Sequence, residues 1–348
     1  MTSAHRAIVE QDVAGLAALP LPWNRLDGRT ILITGATGLI GGYFAEVLLR
    51  RNRVSGSAPT KVIALVRDAG KAAARFADFA GQGDLRVLAH DVTDEVPADT
   101  PADFIVHAAG NATPRRFAAD PVGTYSAAVL GTHHLLGHAA RMDSEAFLLL
   151  SSGAVHGAVP GESTVVDERT IGIVDPLDPY ACYPESKRMA ETMCSAWTRQ
   201  HGVPTRIARI SHSYGPGLRR DDDRAFAEFT YCALDRRDIV LHSDGSAVRP
   251  YCYLADVAHA LVRLLLSGAN GEAYAVANPE AACSVRTLAT FIAGLGGVSV
   301  RTDLNAAQGS IANRDPKRTV DISKLRGLGW QPRVGYEEGF RRTLQSLA

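Results

Sequence analysis

The segment "RTILITGATGLIGGYFAEVLLRR" at 29–51 constrains this chain more than any other. A short β-branched run ends in a turn carrying Gly35, Gly38 and Gly41, and apolar residues at helical spacing follow at once. That order specifies strand, tight turn and helix. Glycine lets a backbone turn sharply and come close to a pyrophosphate, whose charge the helix N-terminus stabilises. GxxGxxG directly after a first strand therefore reads as a dinucleotide-binding turn. Gly35, Thr37, Gly38, Leu39, Ile40 and Gly41 are its expected contacts.

Four more strands follow within the first half: "KVIALVRD" (61–68), "LRVLAHDVTD" (85–94), "ADFIVHAAG" (102–110) and "EAFLLLSSGAV" (145–155). The helix "VGTYSAAVLGTHHLLGHAAR" separates the last two. The strands are nearly continuous apolar runs, as expected of strands buried on both faces. Their alternation with helices predicts an α/β fold: a Rossmann-type, doubly wound parallel sheet. Residues 1–28 read as an added helix with a proline-rich lead. Residues 29–208, with about 237–262, read as the dinucleotide-binding domain. Residues 209–236 and 263–348, richer in turns, read as a smaller substrate-binding lobe.

Lys+Arg and Asp+Glu are equal at 37 each, so no net field recruits nucleic acid or an anionic membrane. The five cysteines (Cys182, Cys194, Cys232, Cys252, Cys283) show no CxxC and read as reduced thiols, with no metal site expected. The start lacks a basic-then-apolar secretory pattern, and no apolar run reaches membrane-spanning length. A cytoplasmic protein is the expectation.

The end of the second strand bears on NAD against NADP. An acidic residue there bonds the ribose 2′-hydroxyl, whereas an arginine suits a 2′-phosphate. Here Val66 stands where the carboxylate is expected, followed by Arg67 and Asp68. Arg67 favours NADP and Asp68 leaves NAD open. Asp91 and Val92, closing the third strand, are placed to meet the adenine.

Residues 180–187 read "YACYPESK". Tyr183 and Lys187 lie four apart and share one face of a helix. Pro184 suits a first helical turn, which puts Tyr183 at the helix start and Tyr180 in the loop before it. Only Tyr183 can hold a fixed relation to Lys187. A tyrosine acting as a base must lose about 3 units from its free pKa near 10, worth roughly 4 kcal/mol. A nearby ammonium and a cationic nicotinamide would both lower it. Ser151 and Ser152 end the fifth strand, whose carboxyl end borders the crevice where such sheets bind ligands.

The ordered set TGATGLIG, HAAG, SSGAVHG and YPESK, with "RISHSYGPG", "SDGSAVRPYCYLADVAHAL" and "RTVDISKLRGLGWQP" later, resembles the extended short-chain dehydrogenase/reductases that act on nucleotide sugars. The resemblance covers about residues 29–345. It implies NAD, with NADP possible, lined also by Ala108 and Ala109 of HAAG. It implies a nucleoside-diphosphate sugar as substrate and a homodimer built from the helices near 123–141 and 183–200. It implies Tyr183 as acid/base, Lys187 orienting the ribose, and Ser152 binding the sugar oxygen. Arg249 and Arg318 match arginines that clamp the diphosphate.

Departures from the family pattern narrow the reaction. His156 replaces a frequent tyrosine and His212 an asparagine, both counted here with the substrate-binding residues. The related 4,6-dehydratases carry Asp-Glu after the catalytic hydroxyl, and the decarboxylases usually a glutamate at the second place. This chain has Gly153 and Ala154. Epimerisation at C4 asks for no further acid, so a UDP-sugar 4-epimerase is the expectation. The alternatives are a UDP-glucuronate-type decarboxylase, a 4,6-dehydratase, an NADPH-dependent 4-ketoreductase, and a non-enzymatic dinucleotide sensor.

Overall fold

The computed structural model describes residues 2–160, 163–304 and 317–348. Seven strands form one sheet: β1 (Thr30–Thr34), β2 (Lys61–Val66), β3 (Leu85–Ala89), β4 (Phe104–His107), β5 (Ala146–Ser152), β6 (Thr205–Ile210) and β7 (Glu272–Val276). Their order is β7-β6-β5-β4-β1-β2-β3, and every pairing is parallel. This is the doubly wound sheet the alternating pattern predicts. Strand order reverses between β1 and β4, so a crevice opens at their carboxyl ends.

The helices are α1 (Ser3–Ala17), α2 (Leu39–Ser55), α3 (Ala69–Arg75), α4 (Pro114–Ala119), α5 (Pro121–Arg141), α6 (Cys182–His201), α7 (Ala225–Leu234), α8 (Leu254–Ser267), α9 (Val285–Gly296), α10 (Ser323–Arg326) and α11 (Tyr336–Leu347). Side chains alternate across a strand, so β1 feeds two cores. Ile31 and Ile33 pack with α2 and α8, while Leu32 packs with Leu135 and Leu136 of α5 and Ala190 of α6. A third cluster, around Tyr214, Phe226, Tyr251 and Phe340, holds α7, α9 and α11 together beyond the sheet.

Two sequence expectations change. The third strand is not buried on both faces: Arg86, Val87 and Ala89 are exposed, because β3 is the sheet edge. It also stops at Ala89, short of the 94 expected. Near the N-terminus, α1 is built into the core through Val9, Val13 and Leu16. Its buried Asp12 accepts the hydroxyls of Tyr43 (2.7 Å) and Tyr253 (2.9 Å) and Nη1 of Arg342 (3.0 Å).

Candidate active site

The glycine turn joins β1 to α2. Gly35 has φ +63, and a Cβ there would lie 2.6 Å from the Ala108 carbonyl oxygen and 2.7 Å from the Ala109 nitrogen. The turn therefore presses against the exit of β4, and only glycine fits. A Cβ at Gly41 would lie 2.8 Å from the Gly35 oxygen. Gly38 caps α2 without a side chain, so no side chain occupies the first-turn N–H groups. Thr37, Leu39 and Ile40 are half-buried around this end. Thr34 fixes the β4 exit, accepting the Ala109 N–H at 3.1 Å while its Oγ1 lies 2.8 Å from Nδ1 of His107. Burial first, then the charge of Lys187, depresses His107 to about 3, so that ring is neutral.

At the carboxyl end of β5 the two serines separate. Ser151 is buried and donates to Oε1 of Glu191 at 2.5 Å. Ser152 is half-buried, accepts the Ala154 N–H at 3.1 Å, and lies near enough to the Tyr183 phenol to act on its ionisation. Tyr183 is the second residue of α6, with Tyr180 in the preceding turn. Its ring stacks on Phe117 of α4, centroids 4.8 Å apart and planes 7° from parallel. Burial raises the Tyr183 hydroxyl above its ordinary range, while the nearby Ser152 hydroxyl and the positive charge of Arg224 act against that rise. Lys187 is 5% exposed and donates from Nζ to the Leu150 carbonyl at 2.8 Å. Burial pushes it down to about 8, with Glu191 opposing. Exposed Gly110 (φ +148) passes close by, since a Cβ there would lie 4.0 Å from Nζ.

Arg224 and Phe117 escaped the sequence reading. Arg224 precedes α7 and is held by Asp222 (Nε to Oδ1, 2.9 Å), its guanidinium 4.7 Å from the Phe226 ring centre. Phe117 is brought over Tyr183 by contacts distant in sequence. The Arg115 N–H donates to Asp223 and Arg116 to Asp221, both at 2.7 Å. Nothing in local spacing marks either residue.

The other expected residues divide. His212 lies against Tyr251, ring centres 6.0 Å apart, and burial together with Arg249 and Arg224 lowers it to about 3. Arg249 sits in the short strand Val248–Pro250, and its Nη1 donates to the Val248 carbonyl at 3.1 Å. His156 is buried, with Nδ1 2.9 Å from the Thr170 carbonyl. Arg318 belongs to the strand Lys317–Val320, but its side chain lies outside the described residues. Val92 is a core side chain, packed where a Cβ at Gly131 of α5 would meet it at 3.0 Å. Burial tends to raise the Asp91 carboxyl, yet the Thr93 amide and hydroxyl, with Arg67, hold it below its usual range. Asp68 caps α3 through the Lys71 N–H at 2.9 Å, and Arg67 is exposed.

These residues fit a nicotinamide dinucleotide. The side-chain-free α2 N-terminus would hold the pyrophosphate, and Lys187 has donors left beyond its bond to Leu150. Among the described residues no three His, Cys, Asp or Glu side chains group as a metal would require, and no helix is long and apolar enough to cross a membrane.

Residues 31–277 match the model of the NAD dependent epimerase/dehydratase family. UDP-glucuronic acid decarboxylase 1 of Danio rerio is 32% identical over 321 residues, covering 92% of this chain and 72% of the relative. The same enzyme of Xenopus tropicalis is 31% identical over 323 residues, covering 91% and 72%. A dTDP-glucose 4,6-dehydratase from Streptomyces venezuelae, with NAD bound, superposes with TM-score 0.75 at 25% identity, covering 91% of this chain and 96% of that one. A UDP-glucuronic acid 4-epimerase from Bacillus cereus, with UDP-glucuronic acid and NAD, shares the fold at TM-score 0.76 and 22% identity, covering 91% and 98%. The chain belongs to the NAD-dependent epimerase/dehydratase family, the extended short-chain dehydrogenase/reductases that modify nucleotide sugars.

Proposed function

We propose that the enzyme oxidises the C4 hydroxyl of UDP-glucuronate and lets the resulting 4-keto acid lose carbon dioxide, a UDP-glucuronate-type decarboxylation. The observation that carries C4 oxidation is the placement of Ser152, at the carboxyl end of β5, beside the Tyr183 phenol, with Lys187 one turn along α6. The curated relatives carry the choice of sugar, and they favour this outcome over the 4-epimerisation expected from sequence.

NAD would be held by the Gly35–Gly41 turn, Ala108, Ala109 and Lys187, and when bound supplies a hydride acceptor that returns what it takes. Tyr183 takes the C4 hydroxyl proton. Its burial makes phenolate formation costly, and Ser152, Arg224 and the cationic surroundings offset that cost. Once the ketone exists, Ser152 and the reprotonated phenol both donate to its oxygen, which takes up the electron pair as the C5–C6 bond breaks and carbon dioxide leaves; the resulting enolate then takes a proton from water at C5. Phe117 covers the phenol ring and keeps water from it. His212, Arg249 and Arg318 are assigned to the nucleotide diphosphate and sugar, and His156 to supporting the strand-end turn. A redox-neutral cycle suits NAD more than NADP, although exposed Arg67 would tolerate a 2′-phosphate.

A second reading, 4-epimerisation, is favoured by Gly153 and Ala154, neither of which can protonate C5. Incubation with UDP-glucuronate, UDP-glucose and dTDP-glucose without added cofactor, followed by NMR, separates the two. Carbon dioxide and a UDP-pentose support decarboxylation, and a C4 epimer without carbon dioxide establishes the second reading. A 4-keto-6-deoxy product, or strict dependence on added NADPH, overturns both. We also propose a homodimer joined through α5 and α6, on which Val122, Tyr125, Leu130 and Met189 are exposed.

A further inference from the structure

Beneath Lys187 lies a charged assembly that no step above uses. Glu191 is one helical turn beyond Lys187 on α6, so both face β5. Ser151 and Arg209 are register partners on β5 and β6, and both reach Glu191. Ser151 donates to Oε1 at 2.5 Å. Arg209 gives Nη2 to Oε2 at 2.7 Å and Nε to the two oxygens at 3.0 and 3.2 Å. The side chains of Arg209 and Glu191 are 14% and 11% exposed. The remaining Arg209 donor, Nη1, meets the Glu168 carbonyl at 2.8 Å, and the Glu168 carboxylate accepts the Ala275 N–H of β7 at 2.8 Å. Glu191 is thus held by two adjacent strands of the sheet, and Glu168 ties Arg209 to a third.

A surface ion pair held this way would contribute little. This one stands next to a buried ammonium with few other charges in reach. From β4 the Lys187 ammonium is faced by His107, neutral at physiological pH. On α6, Cys194 is kept a thiol by burial and Tyr183 is held as a phenol. From β5 it meets the Leu150 carbonyl. Of the titratable groups that face it among the described residues, only Glu191 brings a negative charge.

We propose that Glu191 is a positioning residue: pinned between Ser151 and Arg209, it keeps the Lys187 ammonium charged and aimed at the dinucleotide. Its consequence for turnover rests on the reading above, but the charge state of Lys187 is measurable without any substrate. The chain has five lysines, Lys61, Lys71, Lys187, Lys317 and Lys324. Protein labelled with 13C at the lysine Cε should give five titrating signals, with Lys187 assigned by its loss in Lys187→Arg.

The direction of change separates a field from mere support. If Glu191 acts through its charge, Glu191→Gln lowers the Lys187 midpoint by about one pH unit, because a buried ammonium loses its opposite charge. If Glu191 only braces the helix, loosening lets water in and the midpoint climbs toward the free-lysine value. Glu191→Asp, which keeps the charge and is the milder change, should fall between wild type and Glu191→Gln. The alkaline limb of turnover should move down with the NMR midpoint in both variants. An unchanged or raised Lys187 midpoint in Glu191→Gln, or in Glu191→Asp should the first variant not fold, overturns the proposal. A lowered midpoint without turnover on any sugar would leave Glu191's effect on Lys187 standing and reject the reaction instead.

Discussion

Replacing Lys187 by methionine should make the protein more stable at neutral pH while abolishing turnover. Lys187 is 5% exposed, and burial brings it from an ordinary 10.5 to about 8 despite the opposing pull of Glu191. A lysine whose pKa falls on folding is a cost to the native state, and the sign follows from proton counts. Below about pH 8 both states hold the proton and the cost is complete. Between pH 8 and 10.5 only the unfolded chain holds it, so stability rises with pH, and above 10.5 the cost is gone. A fall from 10.5 to about 8 is worth roughly 3 kcal/mol. Against this, methionine forfeits the 2.8 Å bond to the Leu150 carbonyl, which costs about 1–2 kcal/mol. The variant should therefore gain about 1–2 kcal/mol at pH 7 and lose that advantage by pH 10. Urea unfolding of the two ligand-free proteins at both pH values, followed by circular dichroism, measures the difference. A variant less stable than wild type at pH 7, or a difference equal at both pH values, would exclude a burial cost at Lys187.

Tyr183→Phe should lose turnover by at least about 1000-fold while keeping fold and dinucleotide binding, and Tyr180→Phe should keep most activity. Similar losses in both would remove the assignment of Tyr183. Gly35→Ala forces a Cβ to 2.6 Å from the Ala108 carbonyl at φ +63. It should cost more than the roughly 1–2 kcal/mol of the backbone conformation alone. Mass spectrometry of the denatured variant should then find no released dinucleotide. Light scattering at micromolar concentration should give a dimer, and Leu130→Glu, on the exposed face of α5, should shift it toward monomer.

What the sequence made legible is what short-range patterns encode. Buried strands announce themselves as apolar runs, which is why β1, β2, β4 and β5 lie where those runs are. The run at 85–94 looks alike but belongs to the sheet edge, since nothing in it reveals that no strand pairs beyond. The i, i+4 relation of Tyr183 and Lys187 was readable because helix geometry alone sets it. Their electrostatic relation was not: the Lys187 ammonium turns to Leu150, and Arg224 with Ser152 acts on the phenol. Arg224 and Phe117 reach Tyr183 because Asp221 and Asp223 hold a loop and α4 together across more than 100 positions of sequence, while Asp222 fixes Arg224 within that loop. Asp68, read as a ribose ligand that would leave NAD open, spends one carboxylate oxygen capping α3, a role that depends on the helix starting there.

In the proposed reaction, hydride leaves sugar C4 and returns to it within one turnover. UDP-glucuronate carrying deuterium at C4 tests that directly, with protein as purified and no cofactor added. The predicted result is slowed turnover and a product that retains the deuterium at C4, whether the product is a pentose or the epimer. Deuterium lost to water, or a product formed at an undiminished rate with the label untouched, would contradict it.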